Sequence, residues 1–451
     1  MLFGTDGIRG TINKYPMIPG EILKLSIAIA LYLHKKCSAK HDKGYKAKVV
    51  IAKDTRLSGY IIESILTAGL AAVGINVILV GPMPSPSVPM LIKSIRADLG
   101  IMITASHNPF YDNGLKLFDD KGYKLSSENE QVIEQILLDN QTSEQDLAEP
   151  AMLGKVSRLE DVHGRYIEYV KSCFPKNLTL EGFRIVVDCA NGAAYKIAPS
   201  VFWELGAEVV TLSTEPNGIN INDGCGSMHP SLLSAKIIET RSDLGIALDG
   251  DGDRLLICDE MGKIVHGDHV IAIIAAFLHS KNKLRGDGVV LTHLSNSGVE
   301  KYLKNIGLKT YRTNVGDKYI AHEMRKQKCS LGGESSGHII LGDYTSTGDG
   351  LIAALQIMAF LKEKGGLASD LLYPFPLTPQ KSLNIHVLYD HNPLDNPEKK
   401  SKIDILKNEY PEMRIIVRKS GTENIIRIMV EGEDISQVDI AIQQIKEVVM
   451  I

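Results

Sequence analysis

Three short runs of this chain hold residue types that can do chemistry together. Ser106 stands in ITASHNPFYDNG, at the end of an apolar strand and in a turn-rich stretch, where a rigid scaffold is expected to hold its hydroxyl exposed. Asp249, Asp251 and Asp253 crowd three carboxylates into one loop, DGDGDR, spaced by Gly250 and Gly252. Like charges so close are costly unless a cation compensates them. Alternate hard oxygens on a glycine-permitted turn suit Mg²⁺, with a position left for a phosphate. In GGESSGH, Glu334, Ser336 and His338 offer a clamp for a sugar, since a carboxylate accepts from two neighbouring hydroxyls.

Other residues extend each site. Arg254 places a guanidinium fork beside the aspartates, suited to a phosphoryl group, or else serves as their structural partner. A calcium EF-hand would also use Asp249, Asp251, Asp253 and Glu260, but its sixth position must be Gly and here is Arg254, and strands flank the loop. Ser106 is in no GxSxG elbow, and the adjacent His107 side chain should diverge from it, so phosphoryl transfer is favoured over acyl transfer. His107, and Lys116 in NGLKLF, are candidates to meet an anion or move a proton, and Arg9 in FGTDGIRG is a further candidate for the cleft. In RKSGTE, Arg418, Ser420, Gly421 and Thr422 sit between two strands and form either a nest for a phosphate dianion or a polar hairpin.

An internal repeat positions these loops. DLGIMIT from Asp98 precedes the serine loop and DLGIALD from Asp243 precedes the aspartate loop. Each repeat begins with a strand, a small-residue loop and a helix, then a Gly and a second strand: KVVIAKDTR to Gly74 and INVILV, RIVVDCANG to Gly206 and AEVVTL, GVVLTHLSNSG to Gly307 and LKTYRT. Ligands of α/β sheets sit beyond the carboxyl ends of strands, so three such units facing one cleft would pool a nucleophile, a metal site and a sugar clamp. From Pro376 the pattern changes to strands followed by a helix, Ile435 to Val449, which indicates an α+β unit. The expected fold is three similar mixed α/β domains plus a smaller C-terminal α+β domain. The expected domains are 1–150 (serine loop), 151–258 (metal loop), 259–368 (sugar loop) and 369–451 (phosphate loop).

At 451 residues the chain exceeds one ordinary core, and 44% hydrophobic residues suffice for globular folding. A net charge of -4 argues against nucleic acid or a membrane surface as partner. No apolar run approaches the roughly 18 residues of a membrane span, and Met1–Gly10 lacks a secretory pattern, so a soluble cytoplasmic protein is expected. The six cysteines include no CxxC pair and read as reduced, mostly buried thiols rather than a zinc site.

Taken together, the loops resemble the α-D-phosphohexomutase superfamily from FGTDGIRG to RKSGTENIIRIMVEG. MLFGTDGIRG, SHNPFYDNGLK, NGININDGCGSMHP from Asn217, and RKSGTE in place of RxSNT are similar to its phosphoglucosamine mutase branch. The resemblance implies a heart-shaped protein whose smaller fourth domain closes over the cleft. It implies an isomerase, an intramolecular phosphotransferase interconverting glucosamine 6-phosphate and glucosamine 1-phosphate and supplying amino-sugar nucleotide and peptidoglycan precursors. Ser106 would be the phosphoserine and, with Asp249, Asp251 and Asp253, a ligand of one Mg²⁺; Glu334 and Ser336 would hold the sugar, and Arg418, Ser420, Gly421 and Thr422 the phosphate. A hexosamine 1,6-bisphosphate would be intermediate and activator, and hexosamine phosphates the partners, in a chain compatible with a homodimer. One departure is Ser335, where this branch often has Gln, which bears on discrimination among hexose phosphates. The competing readings are phosphoglucomutase or phosphomannomutase, a serine phosphatase, and a non-catalytic sugar-phosphate-binding protein.

Overall fold

A computed structural model describes residues 2–4, 6–41, 45–139, 144–387, 393–419 and 425–450, with side chains omitted at 38–41. Its strands form four sheets, and the first three repeat one plan. In the first, Leu99–Ile103, Lys48–Lys53 and Asn76–Pro82 run parallel, and Asp112–Asp119 returns antiparallel beside Leu99–Ile103. The second sheet has the same order in Leu244–Leu248, Arg184–Asp188 and Glu208–Leu212, with Leu255–Asp259 returning antiparallel. The third has Leu331–Gly333, Gly288–Thr292 and Lys309–Thr313, with Ile339–Leu341 returning. The serine, aspartate and sugar loops are therefore the same connection in three copies, from the edge of the parallel ladder into its antiparallel neighbour.

The local sequence explains the copies. In each unit the helix between the first two strands of the repeat ends two residues before a Gly (Gly74, Gly206, Gly307) whose φ is +97°, +100° and +83°. Only Gly takes that left-handed exit without a Cβ penalty, and it turns the chain back into the second strand.

Hydrogen bonding carries two strands past the expected unit boundaries. Val156–Arg158 pairs with Asn76–Pro82 and so extends the first sheet beyond residue 150. Ile264–Val265 pairs with Leu255–Asp259 and extends the second beyond 258. Both strands are short, and ladder partners rather than composition decide where they belong.

The fourth sheet is antiparallel: Gln380–His386, Ile425–Glu431, Arg414–Lys419. Helix Ile435–Met450 covers it, and a helix unexpected from the sequence, Pro397–Glu409, packs alongside. That second helix buries only Ile403, so it has no apolar stripe to read; Pro397 and the Asn396 cap, which accepts from Glu398 N–H at 2.9 Å, start it instead.

One apolar core is continuous across the first three units, from Met83 and Met102 through Val187 and Leu248 to Ile271 and Leu355. The fourth unit has its own core around Ile428 and Ile442. Its junction with the third is polar: Asn296 Nδ2 donates to Thr378 O at 2.9 Å, and Arg414 Nη2 donates to Ser295 O at 2.6 Å. All six cysteines are buried. Among the described residues no helix is long and apolar enough to cross a membrane.

Candidate active site

Ser106 follows its strand in a left-handed conformation, φ +52°, uncommon for a residue with a Cβ. Three side chains hold it there. Thr104 Oγ1 accepts from Ser106 N–H at 2.9 Å. Arg56, fully buried, donates through Nη2 to Ser106 O at 3.0 Å and Asn108 O at 2.8 Å, and through Nη1 to Asp112 O and Pro109 O. Asn222 of the second unit donates to the same Ser106 and Asn108 carbonyls at 2.9 and 3.1 Å. The hydroxyl is not exposed as expected: the residue is 1% accessible, because the second unit closes over it. Ser106 Oγ donates to Asp249 Oδ2 at 2.6 Å, and His107 Nδ1 lies 3.4 Å from the same Oγ. The left-handed backbone is what lets two neighbouring side chains converge where a strand would have separated them.

Gly250 permits this close approach, since a Cβ there would stand 2.7 Å from Ser106 O and 2.8 Å from Asn222 Nδ2. Asp249, Asp251 and Asp253 are all buried, with one oxygen from each within 4.8 Å of the others. Burial and the carboxylates of Asp253 and Asp251 push the Asp249 pKa well above its usual range. Burial also opposes the charge on Asp253, but Lys116 and then His338 outweigh it and hold that carboxyl well below the usual range. Lys116, 1% accessible, donates to Asp251 Oδ2 at 2.7 Å and Asp253 Oδ2 at 2.8 Å. Burial works against its charge too, yet Asp251, Asp253 and Asp6 keep its pKa well above normal. Asp251 Oδ1 and Asp253 Oδ1 are buried without a hydrogen bond. Three hard oxygens at this spacing, two of the carboxylates with an oxygen no donor satisfies, fit a divalent cation.

Arg254 N–H donates to Asp249 Oδ1 at 3.2 Å, and its guanidinium lies 3.9 Å from Asp253 Oδ1. Burial lowers its pKa, but Asp249, Asp253 and Glu334 together raise it, and its backbone bridges His338 of the sugar loop. The two loops are also bonded directly, Leu255 N–H to Gly337 O at 3.0 Å. Glu334 is half-buried; its Oε1 accepts from Gly316 N–H at 2.7 Å and its Oε2 from Ser336 Oγ at 3.1 Å. Ser336 is exposed at the rim. His338 is placed differently from the sugar contact read from its loop: it is buried, its Nε2 accepts from Gly348 N–H at 3.1 Å, and its Nδ1 lies 3.7 Å from Asp253 Oδ1. Its ring ties the two loops together.

His107 is the uncharged member of the cluster. Burial, then Arg254 and Arg9, lower its pKa to about 3. Arg9 is ion-paired with Asp6. In the fourth unit Arg418 is directly opposite Arg427 in the ladder, and burial and Arg427 lower its pKa while the carboxylate of Glu334 raises it. Ser420, Gly421 and Thr422 lie outside the described residues.

The structure brings together Ser106, the three aspartates, Arg254, Glu334 and Lys116, all of which the sequence singles out, and adds Arg56, Asn222 and Asp6, which it does not. Arg56 has a signal in KVVIAKDTR, where a cation stands three residues past a buried strand; Asn222 and Asp6 are placed by tertiary contacts alone.

Comparison with known proteins gives four matches in chain order to the phosphoglucomutase/phosphomannomutase domains: alpha/beta/alpha domain I at residues 1–144, domain II at 164–262, domain III at 266–376 and the C-terminal domain at 385–448. A phosphoglucosamine mutase of Mesorhizobium japonicum is 48% identical over 448 residues, covering 99% of this chain and 97% of the relative. One of Granulibacter bethesdensis is 50% identical over 434 residues, covering 96% and 93%. Among solved structures, a phosphoglucomutase/phosphomannomutase family protein of Burkholderia thailandensis superposes with TM-score 0.80 at 23% identity, covering 99% of this chain and 96% of that one. An N-acetylphosphoglucosamine mutase of Aspergillus fumigatus, in complex with GlcNAc-6P and magnesium, superposes with TM-score 0.68 at 19% identity, covering 100% and 95%.

Proposed function

Because this chain belongs to the phosphoglucomutase/phosphomannomutase family, we propose that it interconverts glucosamine 6-phosphate and glucosamine 1-phosphate through a phosphorylated Ser106. The observation that carries the reading is the pairing of Ser106 Oγ with Asp249 beside buried, unsatisfied carboxylate oxygens. A non-catalytic sugar-phosphate binder would have no use for a nucleophile buried against a metal loop. The full-length relatives of similar sequence supply the choice of amino sugar.

In the first half-reaction the phosphoryl group leaves Ser106 Oγ for the substrate's 1-hydroxyl oxygen, and the hydroxyl proton passes in net to Ser106 Oγ. Uncharged His107, 3.4 Å from that oxygen, is the group free to take or relay the proton. Lys116, held charged by Asp251 and Asp253, offsets the negative charge of the transfer. Asp249, Asp251 and Asp253, with a phosphoryl oxygen on Ser106, would hold Mg²⁺, which when bound neutralises phosphoryl charge. The product is glucosamine 1,6-bisphosphate, which turns over in the cleft so that its 6-phosphate faces Ser106. The return transfer leaves glucosamine 1-phosphate. Glu334 and Ser336 hold sugar hydroxyls, and Arg418 with Ser420, Gly421 and Thr422 holds whichever phosphate is not reacting.

Intact mass with and without phosphatase, alongside turnover of glucosamine, glucose and mannose 6-phosphates, tests this. The expected result is one phosphoryl group on Ser106, highest kcat/KM for the amino sugar, and no turnover by Ser106→Ala. Ser106→Ala activity within about tenfold of wild type would overturn the covalent route.

A further inference from the structure

Lys116, Asp6, Lys124, Asp317, His338 and Asp253 form a ring behind the phosphoryl site, joined by ion pairs from Asp253 through Asp317 and closed at His338 by proximity. Lys116 Nζ contacts Asp253 Oδ2 at 2.8 Å and Asp6 Oδ2 at 3.5 Å. Asp6 pairs through Oδ1 with Lys124, and Lys124 pairs with Asp317 Oδ2. The same Asp317 oxygen lies 3.7 Å from His338 Nε2, and His338 Nδ1 lies 3.7 Å from Asp253 Oδ1. The first unit contributes Asp6, Lys116 and Lys124, the second Asp253, and the third Asp317 and His338. No side chain in the ring is more than 23% accessible.

Lys124 is the link between the first and third units in this ring, and it touches none of the aspartates of the metal loop. The turn that carries it is docked on the third unit by independent contacts: Ser346 Oγ donates to Gly122 O, and the Arg325 guanidinium stacks 4.4 Å from the Tyr123 ring. Its position matters in two directions. By occupying Asp6 Oδ1 it offsets a carboxylate that otherwise competes with Asp251 and Asp253 for Lys116. By holding Asp317 it anchors the first turn of helix Asp317–Gln327, and the residue just before, Gly316, gives its N–H to Glu334 at 2.7 Å. Enclosed ion pairs add little net stability because desolvation offsets their attraction, but they do set geometry.

We infer that Lys124 is a positioning residue: through Asp6 it aims Lys116 at the metal loop, and through Asp317 it sets the sugar clamp Glu334 in register with Ser106. This rests on the phosphoryl-transfer reading above. Removing the Lys124 charge leaves Asp6 with only Arg9 and Lys116 as partners, which draws Lys116 towards it, and loosens the support of Glu334. A misplacement of the order of 1 Å costs about a hundredfold in rate when binding is otherwise intact.

The test compares Lys124→Met, Asp317→Asn, their double variant and Lys124→Arg in the full chain. Turnover of glucosamine 6-phosphate is divided by the fraction of Ser106 carrying phosphate, read by intact mass. We expect each single variant to lose about tenfold to hundredfold in kcat through misplacement at the chemical step, and to raise KM by about threefold to tenfold as Glu334 loosens. The double variant should be no worse than the worse single, since both break one link, and Lys124→Arg should recover most of the rate. Amide hydrogen exchange in ligand-free Lys124→Met should rise over residues 316–338. Unchanged kcat per phosphorylated site, losses that multiply in the double variant, or a loss fully explained by a lower melting temperature would each overturn the inference. A wild-type chain with no mutase turnover would sink the functional reading instead, and unchanged exchange in the ligand-free variant would then separately overturn the ring.

Discussion

Ser106 Oγ donates a 2.6 Å hydrogen bond to Asp249 Oδ2, although 143 residues separate them in the chain. Serine loop and aspartate loop come from different units, so their contact exists only when the two units are docked through their shared apolar core. Phosphorylating Ser106 replaces this donor with a dianion against a buried carboxylate. That state needs added positive charge, and Lys116 is already paired with Asp251 and Asp253.

Asp251→Asn should therefore weaken divalent-ion binding and lower kcat by about a hundredfold. Asp251 also accepts from Ser85 Oγ and Lys116, contacts its amide oxygen can keep in part, so the melting temperature should change little. Calorimetric Mg²⁺ titration and turnover check both effects; a full rate in excess chelator would show that these aspartates serve only structure.

Arg418→Ala should raise KM for hexosamine phosphates by about tenfold to a hundredfold, the loss expected for a charged hydrogen bond to phosphate. Because Arg418 stands directly opposite Arg427, removing it relieves a like-charge pair. Thermal stability without ligand should hold or rise while release of free bisphosphate increases. An unchanged KM would mean that the phosphate is held elsewhere.

Arg56→Lys removes the fork that donates to Ser106 O, Asn108 O and Asp112 O. A single ammonium cannot reproduce that geometry: the half-buried Asp112 carbonyl loses its Arg56 donor, and Ser106 O and Asn108 O keep only Asn222. We expect a loss of about 2 to 3 kcal/mol in urea unfolding and slower phosphorylation of Ser106 by added bisphosphate. Wild-type values of both would show that Asn222 holds the loop alone.

Asp349, buried at the start of helix Gly350–Lys364 and bonded by Tyr166 OH at 2.7 Å, has its pKa raised from 3.8 to about 6, mainly by burial. Between those values the folded protein holds the proton and the unfolded chain has lost it. Stability from this group is thus full in acid and lost as pH rises through about 6. Against Asp349→Asn, wild type should gain about 1 kcal/mol per unit as pH falls from 6 towards 4, measured by denaturant unfolding at each pH. A pH-independent difference between the two proteins would contradict this.

Much of the site is legible in the sequence because its chemistry is local. Three aspartates alternating with glycines need a cation whatever surrounds them, and the repeated DLGI strands put two chemical loops in equivalent places. The three-unit fold is legible for the same reason: strand, helix, left-handed Gly and strand are short-range instructions. Tertiary structure decides what depends on approach between distant segments. The burial of Ser106 is set by Asn222 and Gly250 of another unit, and the convergence of His107 with Ser106 by a backbone conformation that no residue type dictates there. His338 reads as a sugar contact beside Glu334, yet a β-bridge with Arg254 turns it towards Asp253. Val156–Arg158 reads as the start of a second unit, yet it completes the first sheet. Periodicity and residue chemistry act within a few residues of the chain, whereas burial, ion-pair partners and edge-strand pairing are settled only by which surfaces meet.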